Sequence, residues 1–87
     1  MTITTMQCVE ISDHDGYFVL HFYLMCADEL SYGNGSYGIQ VNGTVEDTYY
    51  DEAREVYFVS KLTATSFPNG TRLIEIGKFY DLDLQEI

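Results

Sequence analysis

Basic residues are scarce in this chain: four Lys and Arg stand against fourteen Asp and Glu in 87 residues, a formal net charge of −10. That scarcity argues against direct binding to nucleic acid, whose phosphates need Lys and Arg to displace their counterions. Tryptophan is absent and proline occurs once, which leaves Tyr as the natural aromatic anchor. The longest apolar run, 17–27, is broken by His21 and falls short of the roughly 20 residues of a membrane-spanning helix. The stretch Met1 to Thr5 lacks the basic and apolar regions of a signal peptide, so the expectation is a soluble protein of the cytoplasm. Cysteine is limited to Cys8 and Cys26. If 3–11 and 17–26 form a hairpin about 12–16, Cys8 faces a residue near Leu20. About six residues of strand then hold the two thiols beyond disulfide reach, and both are expected reduced and buried.

The usual signatures of catalysis are missing as well. There is no Cys-x-x-Cys, no Ser-centred elbow and no phosphate-cradling loop; Gly33-Asn34-Gly35 lacks the strand–loop–helix context and the Lys that such a loop needs. Neither cysteine has an adjacent His or basic residue to activate it. His21 lies mid-strand among aromatics, the setting of a structural histidine. Asp13-His14-Asp15-Gly16 is too short for a calcium loop and lacks the second His or Cys of a zinc site. It reads instead as a hairpin turn. The expectation is a non-enzyme with no metal and no cofactor.

What is present argues for one folded domain over 1–87. The hydrophobic share is 46% and the aromatic share 15%, too much for a disordered acidic chain. All three Asn residues precede Gly and then Ser or Thr: Asn34-Gly35-Ser36, Asn42-Gly43-Thr44 and Asn69-Gly70-Thr71. These are formal glycosylation sequons, but Asn-Gly between strand-like runs signals hairpin turns more strongly. Residues 17–26 alternate, with Phe18, Leu20, Phe22, Leu24 and Cys26 on one face and Tyr17, Val19, His21, Tyr23 and Met25 on the other. Segments 37–41 and 44–49 are expected to pair about Asn42-Gly43. Val56, Phe58, Leu62 and Ala64 line one face of 55–65, and Ile74 and Ile76 alternate with Glu75 and Gly77 in 71–80. Asp51 to Glu55 are good helix formers, so a short helix or helical turn is expected within 48–55, ahead of a strand. The predicted fold is α+β, mainly β: a single antiparallel sheet of about five strands with at most one short helix.

The acids cluster. Glu46, Asp47, Asp51, Glu52 and Glu55 fall within ten residues, relieved by Arg54. Asp28 and Glu29 precede a Tyr- and Gly-rich stretch over 31–38, and Asp81, Asp83 and Glu86 close the sequence. On a helical turn Asp51 and Glu55 would share a face and repel, an arrangement stability alone does not favour. Tyr49 and Tyr50 lie among these acids, and Tyr supplies rigid contact area at low entropic cost. Tyr23, Tyr57 and Tyr80 are the tyrosines assigned to the core. The candidate partner-binding set is therefore Glu46, Asp47, Asp51, Glu52 and Glu55, then Asp28 and Glu29, with Tyr49 and Tyr50.

In size, acidity, β-rich character and lack of a catalytic motif, the chain resembles the small phage-encoded anti-CRISPR proteins, and more loosely other DNA-mimicking inhibitors of restriction or repair enzymes. The resemblance is one of composition across the whole chain and assigns no residue a role. It implies a bacterial host cell, a Cas surveillance complex or nuclease as target, and stoichiometric blocking of DNA binding through a basic DNA-binding surface. Two other readings stand beside it: a phage or bacterial binding module using Tyr-rich loops, and a calcium-linked acidic domain. Steep salt dependence and competition with DNA mark the first reading, and a melting temperature raised by calcium marks the last.

Overall fold

A computed structural model describes the backbone of residues 3–26 and 32–87, and the side chains of 5–25 and 36–87. Seven strands follow one another: β1 (Ile3–His14), β2 (Tyr17–Cys26), β3 (Tyr32–Val41), β4 (Gly43–Asp51), β5 (Val56–Ala64), β6 (Arg72–Glu75) and β7 (Phe79–Tyr80). They form two antiparallel sheets, ordered β3-β2-β1-β7 and β4-β5-β6, with β1 packed on β5. The expectation of a mainly β, antiparallel fold holds. The single sheet does not, nor does the short helix, because among the described residues no helix forms.

Asp15-Gly16 closes the β1–β2 hairpin between the paired residues His14 and Tyr17. Gly16 takes a positive φ of 93°, the conformation a two-residue turn demands and Gly supplies without steric cost. Cys8 pairs with Phe22 rather than with a residue near Leu20. A turn shorter than 12–16 moves the partner by three residues toward Tyr23, and a bulge at Val9, which inserts one extra residue into β1, brings it back by one to Phe22. The same bulge switches the buried positions of β1 from Met6 and Cys8 to Ile11. On β2 the expected alternation is observed, with Leu20 and Phe22 buried, Phe18 and Leu24 packed against the core, and Tyr23 exposed. Cys8 is a free, buried thiol.

Two corners turn what looked like one sheet into two. At Asn42 the chain leaves the first sheet and enters the second, so β3 and β4 do not pair; β3 pairs with β2 and β4 with β5. Gly43 is required there for space. A Cβ would sit 2.5 Å from the Thr63 carbonyl oxygen, and the neighbouring backbone is held by bonds from Thr65 N to Asn42 O at 2.9 Å and from Asn42 N to Ser66 Oγ at 3.2 Å. The second corner, Ile76-Gly77, splits the expected strand 71–80 into β6 and β7. Gly77 has a φ of 91° and donates its N–H to Cys8 O at 2.8 Å, while Ile76 donates to Ser60 O at 3.0 Å. Of the three Asn-Gly pairs only Asn69-Gly70 makes the expected turn, with Gly70 at a φ of 115°. Asn34-Gly35 lies within β3.

The core gathers Met6, Cys8, Ile11, Leu20, Phe22, Val41, Val59, Leu62, Ala64, Ile74, Tyr80 and Leu84. Tyr80 meets Phe22 edge to face, with ring centroids 6.2 Å apart, and its hydroxyl accepts Glu75 N–H at 2.8 Å. Burial pushes the Tyr80 hydroxyl up to about 12 and the Cys8 thiol likewise up to about 12, because the charged form of either would lose its hydration.

A candidate protein-binding arm

The sequence from Gly43 to Ala64 folds as one hairpin, β4–β5, and its far half extends past the end of β6. The reason is the length of β6. Its four residues pair only with 61–64 of β5, so 56–60 of β5 have β4 as their sole strand neighbour among the described residues. Every residue of β4 between Thr44 and Tyr50 is exposed. Tyr49, Tyr50 and Val56 are all substantially exposed, and Tyr57 reaches 73%.

The turn at the tip is built by Asp51. Its Oδ1 accepts Arg54 N–H at 3.0 Å, its backbone oxygen accepts Glu55 N–H at 2.7 Å, and its Oδ2 lies 3.2 Å from the Arg54 guanidinium. The bond from the Arg54 N–H, with the Arg54 charge beside it, holds the Asp51 carboxyl below the usual carboxylate range. The one i to i+4 bond is the remnant of the expected helix. Val56-Tyr57-Phe58-Val59 prefers the extended state, and Glu55 breaks any continuation by adopting a φ of 57°, a left-handed conformation costly to a residue with a Cβ.

Two bulges set which side chains share a face. Glu46 is the extra residue on β4 and Ser60 the extra residue on β5. The shift at Ser60 explains why Val59, Leu62 and Ala64 form the buried series, in place of Val56, Phe58, Leu62 and Ala64. On the outer face Asp47 is opposite Lys61, Tyr49 opposite Phe58 and Asp51 opposite Val56. Tyr49 stacks on Phe58 at 5.7 Å, and Arg54 lies 4.3 Å over the Phe58 ring, a cation–π contact. Glu46 reaches this face as well, accepting Thr63 Oγ1–H at 2.7 Å. On the inner face Tyr50 and Tyr57 meet at 5.0 Å, and Tyr57 borders a cleft of about 370 Å³ between the arm and Ile11 to Asp13 of β1.

Seven of the nine residues selected from the sequence therefore sit on one projecting element: Glu46, Asp47, Tyr49, Tyr50 and Asp51 on β4, and Glu52 and Glu55 in its turn. Asp28 and Glu29 lie outside the described residues. Besides Glu46, which bonds to Thr63, three acids accept backbone N–H groups close by in the chain. Asp51 holds the tip, Asp47 accepts Thr48 N–H at 2.9 Å, and Asp81 accepts the N–H groups of Asp83 and Gln85 at 2.8 and 3.0 Å. Sequence reasoning misplaced two aromatics: Tyr57 and Tyr23 are exposed, and of the three tyrosines assigned to the core only Tyr80 is buried. Tyr57 follows the unpaired half of β5, a consequence of the β6 length that periodicity does not reveal.

Away from the arm, His21 is hydrogen-bonded as a structural histidine, with Nε2 2.8 Å from Ser12 Oγ, and Ser12 in turn donates to Glu10 at 3.2 Å. His14 stacks on Tyr17 at 4.9 Å beside the turn. Among the described residues no group of three or more His, Cys, Asp or Glu side chains is arranged to hold a metal ion, and no helix is long and apolar enough to cross a membrane. Comparison of the chain with protein-family models, with curated proteins and with solved structures finds no match.

Proposed function

We propose that this protein is a stoichiometric protein-binding inhibitor that presents the β4–β5 arm to a basic surface of a nucleic-acid-handling protein. The observation that carries the reading is the convergence of Glu46, Asp47, Glu52 and Glu55 with exposed Tyr49, Tyr50 and Tyr57 on one projecting hairpin. Carboxylates on the arm offer negative charge to a Lys- and Arg-lined groove, and the tyrosines supply apolar contact area beside it. Within this class the specific proposal is an anti-CRISPR type of action, in which the arm occupies the DNA groove of a Cas effector.

The test is binding to purified Cas effector complexes at low and high salt, with and without target DNA as competitor. The informative variant reverses Asp47, Glu52 and Glu55 to Lys and leaves Asp51, which holds the turn, untouched. The expected outcome is a salt-sensitive complex displaced by DNA and weakened at least about tenfold in the variant. A complex that survives both salt and DNA but fails on Tyr57→Ser favours the second reading, a tyrosine-anchored binding module, for which the 73% exposure of Tyr57 is the supporting observation.

A further inference from the structure

Arg72 is the one charged side chain buried among the described residues, 9% exposed in a chain with fourteen acids. Among the described residues no carboxylate pairs with it, and the ion pair formed there joins Arg54 and Asp51. Instead Nε donates to the Asp83 carbonyl at 3.0 Å and Nη1 to the Thr71 carbonyl at 3.1 Å. A guanidinium carries five N–H donors, so these two bonds leave Nη2 without an acceptor among the described residues. No fully buried side-chain nitrogen or oxygen there lacks a partner, so Nη2 is not sealed off among them. Arg72 lines a cavity of about 200 Å³ together with Ile39, Phe67, Asn69, Leu82 and Leu84. The Phe67 ring lies 5.5 Å from the guanidinium carbon. Asp83, also on the border, commits its carbonyl to Arg72, and its neighbour Leu84 is held at a φ of 61° with its side chain in the core.

We propose that this cavity binds a small organic carboxylate with an apolar tail. A buried guanidinium with unused donors is completed by an anion with two acceptor oxygens, the geometry an Arg fork matches. Ile39, Phe67, Leu82 and Leu84 make part of the wall apolar, beside Asn69 and Asp83, which asks for a hydrocarbon body behind the carboxylate. An engineered apolar cavity of about 150 Å³ accepts benzene, so the space here fits an acid near the size of benzoate. The site lies on β6 and the C-terminal segment, apart from the arm, and does not depend on the function proposed for it.

Benzoate is the probe, and benzamide its neutral counterpart of equal shape. Titration of the ¹⁵N-labelled protein is expected to give saturable shifts confined to the amides of Phe67, Asn69, Arg72 and Leu84. Benzoate should bind about tenfold or more tightly than benzamide, the worth of a charge-assisted bond, and should raise the melting temperature. Arg72→Lys keeps the charge, loses the fork and should lower benzoate affinity by a similar factor. If that variant fails to fold, the benzoate-to-benzamide ratio on the native protein decides alone. Equal affinities, shifts scattered over the surface or no saturation would overturn the proposal and leave Arg72 as a clamp on the C-terminal segment.

Discussion

Leu62 and Tyr57 lie on the same strand, five residues apart, and live under opposite conditions. At Leu62, β5 is paired on both sides, by β4 and β6, and its side chain is fully buried in the core. At Tyr57 the β6 partner has ended, and the ring stands largely in solvent. Both ends of β5 are rich in residues that favour strands, so propensity does not distinguish them. What separates them is whether a third strand and the opposite sheet arrive to cover the face. Half of the hairpin belongs to the core and half is an exposed ribbon carrying acid and aromatic side chains. The comparison teaches where function can be placed in so small a fold: on the part of a strand that stability does not need.

The largest effect that would sharpen this contrast is Leu62→Ala, expected to cost about 2–5 kcal/mol by removing buried volume, whereas Tyr57→Ser should stay within about 0.5 kcal/mol. Urea unfolding midpoints for the two variants check it, and equal losses would mean that the arm is part of the cooperative core. Gly43→Ala comes next. Its methyl would press on the Thr63 carbonyl at the corner where β4 begins, with an expected loss of about 1–3 kcal/mol, read in the same experiment.

At the tip, Glu55→Gly removes the left-handed strain and should gain up to about 1 kcal/mol, because relief of the Cβ clash is partly offset by the flexibility of glycine. A loss instead would show that the Glu55 side chain makes a contact the turn needs. Asp51 tests the arm by pH. Its carboxyl titrates below its unfolded value, so the stabilisation it gives is present above the ordinary carboxylate range and fades as pH falls through the lowered folded value. The protection of the Val56 and Tyr57 amides, taken as exchange relative to the intrinsic rate at each pH, should therefore fall at acid pH in the native protein and be already low in Asp51→Ala.

The core responds at the other end of the scale. Cys8 and Tyr80 both rise to about 12, so the folded state holds protons that the unfolded chain releases. Their contribution is complete below the ordinary thiol and phenol values and is lost as pH climbs toward 12. Alkaline melting curves measure the fall, and Cys8→Ala should make it shallower. The same burial keeps the Cys8 thiol protonated and shielded, so alkylation of Cys8 at neutral pH should follow unfolding and leave the native protein unmodified at that position.

Much of this was legible in the order of the residues. The alternation of β2, the Asp15-Gly16 hairpin and the Asn69-Gly70 turn are local matters, decided by side-chain period and by the φ that glycine permits. The acidic stretch from Glu46 to Glu55 was visible as composition, and Asp51-Glu52-Ala53-Arg54-Glu55 drew a helix by propensity, because nothing local reports that the flanking strands will pair and pull those residues into a turn. The corners at Asn42-Gly43 and Ile76-Gly77, the bulges at Val9, Glu46 and Ser60, and the short reach of β6 come from contacts between residues far apart in the chain. Those contacts decided that one apparent sheet became two, and that Tyr57 faces water. They also left Arg72 enclosed beside a cavity. The acidic and aromatic content and its clustering over 46–57 were set by the sequence alone, while its exposure on one arm came from a third strand that stops short.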